Sequence, residues 1–220
     1  SGVTSDALTG RPMDLPADVE ILGTLHDPNL ELIVSGEPDL VILSQDMPAH
    51  KEIAETLKTL QIPFYMAKVE TLEEYLYVLE GFTVLTGSET GYEKNGIALQ
   101  QEVESLLSRL PEPVEEKTAL FLRAYSSGVK VKASEHTVCT ILDDIQVANI
   151  GAMEPSLLED LSMEVIIEQD PDYIFVVTMG SSEEDALASL ESSLISNPAW
   201  KDLTAVKEGH MVILSKDLYH

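Results

Sequence analysis

Residues 30–43 read LELIVSGEPDLVIL, and residues 163–176 repeat this pattern as MEVIIEQDPDYIFV. A glutamate, an isoleucine, the Pro-Asp pair and the β-rich run that follows occupy the same places in both copies. Each copy predicts an amphipathic turn of helix, a Pro-Asp break that the helix cannot continue through, and a short apolar strand. Two such copies far apart in one chain predict two similar lobes.

Strands and helices alternate through the rest of the chain. The apolar runs predict strands at residues 40–43, 63–66, 118–123, 173–178 and 211–214. Capping and periodicity predict helices that begin at Pro48, Thr71, Thr137, Ser181 and Pro198. Residues 124–134 are predicted to form a polar loop with a basic tract, and residues 149–151 a turn. Strands separated by helices indicate parallel sheets and therefore an α/β fold class.

The longest uninterrupted helical pattern covers about residues 88–110, and Pro111 ends it. At a rise of 1.5 Å per residue, such a helix is about 33 Å long, enough to cross from one small domain to another. We therefore predict an N-terminal lobe over residues 1–87, a connecting helix over 88–110 and a C-terminal lobe over 111–220.

The charge balance is strongly acidic. Thirteen lysine and arginine residues against 39 aspartate and glutamate residues give a formal net charge of −26. Such a chain suits neither nucleic acid nor an anionic membrane surface, and an electropositive partner fits better. Cys139 is the only cysteine, and the five histidines show no paired spacing. We therefore predict neither an internal disulfide nor a metal site.

The candidate ligand site lies where the predicted strands end, because α/β sheets bind ligands at the carboxyl ends of their strands. Tyr125 follows one such strand, where its ring could contact a ligand or act as a half-buried packing residue. Met47 and Met179 occupy matching strand ends, where soft side chains suit a large ligand and suit gap-filling equally well. The predicted ligand-binding residues are Asp46, Met47, Arg123, Tyr125, Ser126, Thr178 and Met179.

Four segments carry a resemblance to a known family, namely residues 28–33, 37–42, 170–174 and 197–209. Together they resemble the substrate-binding proteins of ABC importers for iron complexes, haem and cobalamin. The resemblance implies two Rossmann-like lobes joined by a single long backbone helix, which residues 88–110 match. It also implies a further strand and helix before the first residue and a helix after the last, so we expect a chain shortened at both ends.

The function that this resemblance implies is binding without catalysis. The protein is expected to be extracytoplasmic, either periplasmic or lipid-anchored at the outer face of the cell membrane. There it captures an iron-siderophore complex, haem or a corrinoid between its lobes and delivers it to the permease. No cofactor is implied beyond that transported ligand. The alternative is an enzyme or chelatase on the same architecture, although no nucleophile elbow, phosphate loop or paired catalytic histidine is visible.

The resemblance also gives roles to individual residues. Glu31 and Glu164 match the two exposed glutamates that the family presents to arginine-lined pockets of the permease. A carboxylate suits this role because it can form bidentate bonds with an arginine. The alternative is that both are ordinary solvated helix residues. Tyr125 could ligate haem iron. Basic residues could contact ligand carboxylates or be solvated, and they are Arg123, Lys130 and Lys132.

Overall fold

The structure, a computed structural model, describes residues 1–9, 15–111, 116–134, 136–180 and 182–215. The chain divides into two compact units, Ser1–Val69 and Glu70–His220. Both units combine strands and helices, so the predicted α/β class is confirmed. The predicted lobe boundaries after residues 87 and 110 stay predictions.

The first unit is built from pairs of short parallel strands and from helices. Its elements in chain order are β1 (Gly2–Val3), α1 (Asp6–Thr9), β2 (Glu20–Ile21), α2 (Leu30–Ser35), β3 (Val41–Ser44), α3 (Pro48–Thr59) and β4 (Phe64–Ala67). β1 pairs with β2, and β3 pairs with β4. The core is small: Ile33 of α2 and Leu57 of α3 are buried in one cluster with Leu43 of β3.

The second unit begins with a helical region. α4 (Leu72–Thr86) starts at its N-cap Thr71 and ends at Gly87, whose φ of 66° is the left-handed conformation that glycine adopts without strain. Next come α5 (Glu89–Tyr92), a π-helical turn (Glu93–Ile97) and α6 (Ala98–Leu107). Tyr92 and Ala98, on either side of the π turn, keep right-handed helical dihedrals. The predicted long helix is therefore present over residues 89–107, with one π turn inside it.

A five-stranded sheet forms the centre of the second unit. Its strands are β5 (Lys117–Tyr125), β6 (Gly128–Val131), β7 (Val147–Asn149), β8 (Tyr173–Thr178) and β9 (Met211–Leu214). β8 lies between β5 and β9, and these three strands are parallel. On its other edge, β5 pairs in parallel with β7 and in an antiparallel hairpin with β6.

The hairpin shows that the prediction of a loop over residues 124–134 is wrong. Val129 and Val131 are buried while Lys130 between them is exposed, which is the alternation of a strand with one buried face. Gly128 has a φ of 145°, and glycine tolerates this conformation because it has no Cβ. The polar and basic residues of this segment hid a strand whose alternation extends over only a few positions.

Helices cover both faces of the sheet. They are α7 (Thr137–Asp144), α8 (Ile150–Met153), α9 (Ser156–Glu159), α10 (Met163–Gln169), α11 (Glu183–Leu190) with a π turn (Glu191–Ile195), a 3-10 turn (Trp200–Asp202) and α12 (Thr204–Lys207). The predicted turn at residues 149–151 is instead the start of α8, because the Asn149 side chain accepts the backbone N–H of Gly151 as an N-cap.

Alternate residues of β5 belong to two separate cores. Leu120 and Leu122 are fully buried in the cluster that includes residues of α10 and α11. Phe121 is fully buried in the other cluster, which includes residues of α7. Because successive side chains of a strand point to opposite faces, Arg123 and Tyr125 lie on the same face of β5 as Phe121. The C-terminal end of β5 therefore carries these two polar side chains on the α7 face.

The repeat found in the sequence is also a repeat of local structure. Asn29 caps α2 and Ser162 caps α10, and each side chain accepts the backbone N–H three residues later. After each helix, one non-glycine residue is left-handed, Glu37 with φ 44° and Asp170 with φ 38°. Each break is followed by a strand, so the predicted order of helix, break and strand is confirmed in both copies.

Candidate functional site

A group of positive charges gathers at the C-terminal end of β5. The Arg123 guanidinium carbon lies 5.4 Å from the ring centroid of Tyr125. Lys130 is directly opposite Arg123 in the hairpin, so both side chains lie on one face of the sheet. Lys132 follows two residues later, where its backbone N–H donates to the carbonyl of Phe121 at 3.3 Å. We call Arg123, Lys130 and Lys132 the basic cluster.

The side chains of the basic cluster have no ion-pair partner within the described part of the chain. The Nε of Arg123 is buried and has no hydrogen-bond partner among the described residues. Like charges directly opposite each other in a hairpin are unfavourable, and an unsatisfied buried donor costs about 1–3 kcal/mol. Such a cost is typical of a site that an anionic group completes.

His136 lies beside the basic cluster as the N-cap of α7. Its ring centroid is 4.9 Å from that of Phe121, and its Nδ1 accepts the backbone N–H of Val138 at 3.2 Å. Burial, and then the charges of Arg123 and Lys132, lower the pKa of His136 from 6.5 to about 4. The imidazole is therefore neutral near pH 7. Sequence reasoning missed this residue, because histidine has no particular preference for the N-cap position.

The structure separates the other predicted ligand residues of the second unit. Met179 packs against the same core cluster as Phe121, and its backbone N–H donates to the carbonyl of Ala124 at 2.8 Å. Thr178 is 1% exposed and belongs to the opposite face of the sheet. Its Oγ1 has no hydrogen-bond partner among the described residues. Ser126 lies in the hairpin turn, beside a shallow groove of about 530 Å³ shared with α11.

One face of the sheet therefore carries Arg123, Tyr125 and Met179. The opposite face carries Thr178, and Ser126 lies in the hairpin turn. The assignment of all five residues to a ligand site stays a prediction.

Asp46 and Met47 lie at the C-terminal end of β3 in the first unit. Met47 is half-buried as the residue before α3, and Asp46 is exposed. The backbone N–H of Asp46 donates to the Ser44 hydroxyl at 3.3 Å, and that of Gln45 donates to the carbonyl of Ala67 at 2.8 Å. The segment after β3 is thus held by hydrogen bonds. Its role in ligand binding also stays a prediction.

The two glutamates of the repeat occupy equivalent helix positions. Glu31 is the second residue of α2, and Glu164 is the second residue of α10. Both side chains are exposed, as a docking role requires. A carboxylate in the first turn of a helix is also favoured by the helix dipole, so exposure alone does not assign that role.

The described residues contain no group of three or more histidine, cysteine, aspartate or glutamate side chains arranged to hold a metal ion. Among the same residues, no helix is long and apolar enough to cross a membrane. Cys139 is buried, and its Sγ lies 3.5 Å from the Asn149 amide nitrogen.

Comparison with known proteins decides the family. The family model described as periplasmic binding protein matches residues 2–218. The chain belongs to this family. The membership confirms the recognition made from the sequence and the predicted extracytoplasmic location.

Two similar proteins illustrate the family, and one of them, FeuA of Bacillus subtilis, is matched both as the iron-uptake system-binding protein and as a solved structure. The iron-uptake system-binding protein of Bacillus subtilis is 24% identical over 93% of this chain. The crystal structure of the triscatecholate siderophore-binding protein FeuA of Bacillus subtilis, complexed with ferri-bacillibactin, has a TM-score of 0.70, 22% identity, and coverage of 98% of this chain and 76% of that one. The periplasmic haem-binding protein HutB of Vibrio cholerae has a TM-score of 0.69, 21% identity, and coverage of 99% and 82%.

The family model is itself described as a binding protein, and this membership bears out the prediction of a binding protein rather than an enzyme. The chain spans 63% of the length of the curated Bacillus subtilis relative.

Proposed function

We propose that the whole protein is the extracytoplasmic solute-binding component of an ABC importer, and that its cargo is an anionic iron complex, either a ferric siderophore or haem. The family supports a binding role, and the similar proteins are named for iron uptake, for a triscatecholate siderophore and for haem. The observation that carries the choice of an anionic cargo is the buried Nε of Arg123, which has no hydrogen-bond partner among the described residues.

The charge of the ligand follows from the basic cluster. The chain carries a net charge of −26, so its overall field repels anions. At one strand end, three positive side chains have no ion-pair partner among the described residues. They oppose that field locally and supply donors for carboxylate or catecholate oxygens. A ferric triscatecholate and the propionates of haem both present such oxygens. A corrinoid lacks this concentrated negative charge, so it fits the cluster less well.

The remaining side chains on this face suit a large, flat or aromatic ligand. Tyr125 is half-buried and presents a ring beside Arg123, where it can stack on a catechol or a macrocycle or approach haem iron with its hydroxyl. Met179 adds a soft apolar surface on the same face. In the first unit, the predicted ligand contacts are Asp46 and Met47, after β3.

Delivery to the permease is the second part of the proposal. Glu31 and Glu164 are exposed at equivalent positions of the two repeat copies, each in the first turn of its helix. Two carboxylates on separate units can each pair with an arginine of the permease, and two separate anchors fix orientation better than one. Charge complementarity of this kind sets register and encounter rate more than affinity.

The test is a spectroscopic titration of the purified protein with ferri-bacillibactin, haem and cobalamin, since each has its own visible band. We expect one of the two iron complexes to bind, with an affinity that weakens as salt is raised because the ligand is held partly by charge. The iron complex that binds identifies the cargo class. Tighter binding of cobalamin, or no binding of any of the three, would contradict the proposal.

A further inference from the structure

His50 is a buried titratable side chain of the first unit, and both nitrogens of its ring have hydrogen-bond partners. It is the third residue of α3 and is 5% exposed. Its Nδ1 lies 2.8 Å from the backbone nitrogen of Ser44, and its Nε2 lies 2.8 Å from the carbonyl oxygen of Leu25. Both ring nitrogens therefore contact backbone groups, from two segments that are far apart in sequence.

The two partners assign the tautomer of the ring. The Ser44 backbone nitrogen can only donate, so Nδ1 of His50 must be the unprotonated acceptor. The ring proton is then on Nε2, which donates to the carbonyl of Leu25. A neutral imidazole in this tautomer satisfies both partners, whereas the other tautomer and the imidazolium would each place a proton against the Ser44 N–H.

Each end of this bridge is anchored further. The backbone N–H of Leu25 donates to the Asp6 carboxylate at 2.6 Å. At the other end, the Ser44 hydroxyl accepts the backbone N–H of Asp46 at 3.3 Å. A continuous series of hydrogen bonds thus connects Asp6 through His50 to the first predicted ligand contact after β3.

We propose that His50 is a positioning residue, whose Nδ1 holds the Ser44–Met47 segment in the conformation that binds cargo. The proposal rests on the proposed function, in which Asp46 and Met47 touch the ligand. Without the Nδ1 acceptor, the amide at the end of β3 loses its partner, and the segment after it gains freedom that binding must remove. The contact to Leu25, by contrast, anchors α3 to the turn before α2 and does not hold the segment directly.

Two substitutions separate these roles because they keep different halves of the bridge. The amide of His50→Asn lies at the distance of Nδ1 from the backbone, so it can still accept from Ser44 but does not reach Leu25. The amide of His50→Gln lies at the distance of Nε2, so it can still donate to Leu25 but leaves Ser44 unpaired. Ile53→Val, a small core change at a position of α3 that is 6% exposed, controls for lost stability alone.

The experiment measures two quantities for each variant. Amide hydrogen exchange of residues 44–47 reports the segment without ligand, and titration with ferri-bacillibactin and haem reports binding. We expect His50→Asn to keep both near the wild-type values. We expect His50→Gln to exchange faster at Ser44 and to bind about tenfold more weakly, the effect of one lost hydrogen bond. Ile53→Val should leave binding unchanged.

The proposal would be overturned if His50→Asn and His50→Gln lost amide protection and affinity equally. It would also be overturned if affinity fell in proportion to global stability in all variants, Ile53→Val included. If the wild type binds neither probe, the proposed function fails, and the exchange rates at residues 44–47 still decide whether His50 holds the segment. If either variant does not fold, nitrogen-15 NMR of the unmodified protein tests the proposal instead, by showing which ring nitrogen of His50 carries the proton. A ring with its proton on Nε2 and a protected Ser44 amide support the proposal, and a proton on Nδ1 overturns it.

Discussion

The two copies of the repeat, residues 29–44 and 162–178, share their local structure and differ in their neighbours. Each has a polar N-cap, a left-handed residue before the Pro-Asp pair, and a strand. β3 pairs with β4 in the described part of the first unit, whereas β8 lies between β5 and β9. At one matching position, Val41 of β3 is only half-buried, while Ile174 of β8 is fully buried.

The Pro-Asp pair differs in the same way. The Asp172 carboxylate of the second copy accepts hydrogen bonds from the backbone and side chain of Thr118 and from Lys117. Asp39 of the first copy is exposed and makes no such bonds among the described residues. One local pattern therefore yields two environments: the sequence of each copy sets the turn and the cap, and the neighbouring strands set how much each residue contributes to stability.

The largest predicted difference between the copies is in the strands. Ile174→Ala should lower the free energy of unfolding of the second unit by ~3 kcal/mol, because it leaves a cavity in a fully buried site. Val41→Ala, at the matching position, should cost only about 1 kcal/mol, because it removes two methyl groups from a side chain that is partly buried. Denaturant unfolding followed by the fluorescence of Trp200, which is buried in the second unit, measures the first. Circular dichroism measures the second, and equal costs would contradict the comparison.

The Pro-Asp pair gives a difference of intermediate size. Asp172→Ala should cost ~2 kcal/mol, because the Thr118 N–H and Lys117 lose a charged acceptor, and Asp39→Ala should cost almost nothing. Burial raises the pKa of Asp172, but the hydrogen bonds from Lys117 and Thr118 outweigh burial and lower it below its ordinary 3.8. Its contribution is therefore complete above pH 3.8 and is lost as pH falls through the lower folded value. Urea titrations of both variants at neutral and acidic pH check this, and a large cost at Asp39 would count against it.

Acid should destabilise the second unit through His136. Its pKa is about 4 in the folded protein and 6.5 when unfolded, so its contribution is complete above pH 6.5 and is lost as pH falls toward 4. We expect a loss of ~1–2 kcal/mol over that range, which His136→Asn should abolish because asparagine is a good N-cap and does not titrate. Stability measured against pH for both proteins checks this; an unchanged slope in the variant would show that another group is responsible.

The smallest predicted effect on stability is at the repeated glutamates. Glu31→Lys and Glu164→Lys should each change the free energy of unfolding by less than about 0.5 kcal/mol, because both side chains are exposed. Under the docking proposal, uptake by the cognate permease in reconstituted vesicles should nevertheless fall, because each lysine would repel the permease arginine that the proposal pairs with the glutamate. Exposed Glu168→Lys on the same helix as Glu164 is the matched control. Wild-type transport by both reversals would end the docking proposal.

Much of the fold could be predicted from the sequence because its signals are local. Thr71 is an N-cap, Pro48 begins α3, and the last strand has its predicted bounds. Ser181, where another helix was predicted to begin, lies outside the described residues. The hairpin at Gly128 was missed because β6 is only four residues long, and its polar and basic residues hide the short alternation of buried and exposed positions.

The site was only partly predictable for a similar reason. The strand-end rule points to Arg123 and Tyr125, and the structure brings these two together. Because successive residues of a strand alternate between the two faces of the sheet, Thr178 lies on the face opposite Arg123 and Tyr125. The strand-end rule alone does not distinguish the two faces. His50 carries no motif, because its backbone partners are brought to it only by the fold. His136 was missed because histidine has no particular preference for the N-cap position.

The central claim, that the basic cluster of the second unit binds an anionic iron complex, is tested most directly by the Kd of Arg123→Gln. Arg109→Gln, a substitution of another arginine of the second unit, outside the cluster, is the control. For whichever of ferri-bacillibactin and haem the wild type binds, Arg123→Gln should weaken binding about tenfold to a hundredfold through the loss of charged hydrogen bonds, at unchanged stability. Arg109→Gln should bind as the wild type does. An Arg123→Gln protein that binds as tightly as this control would contradict the account.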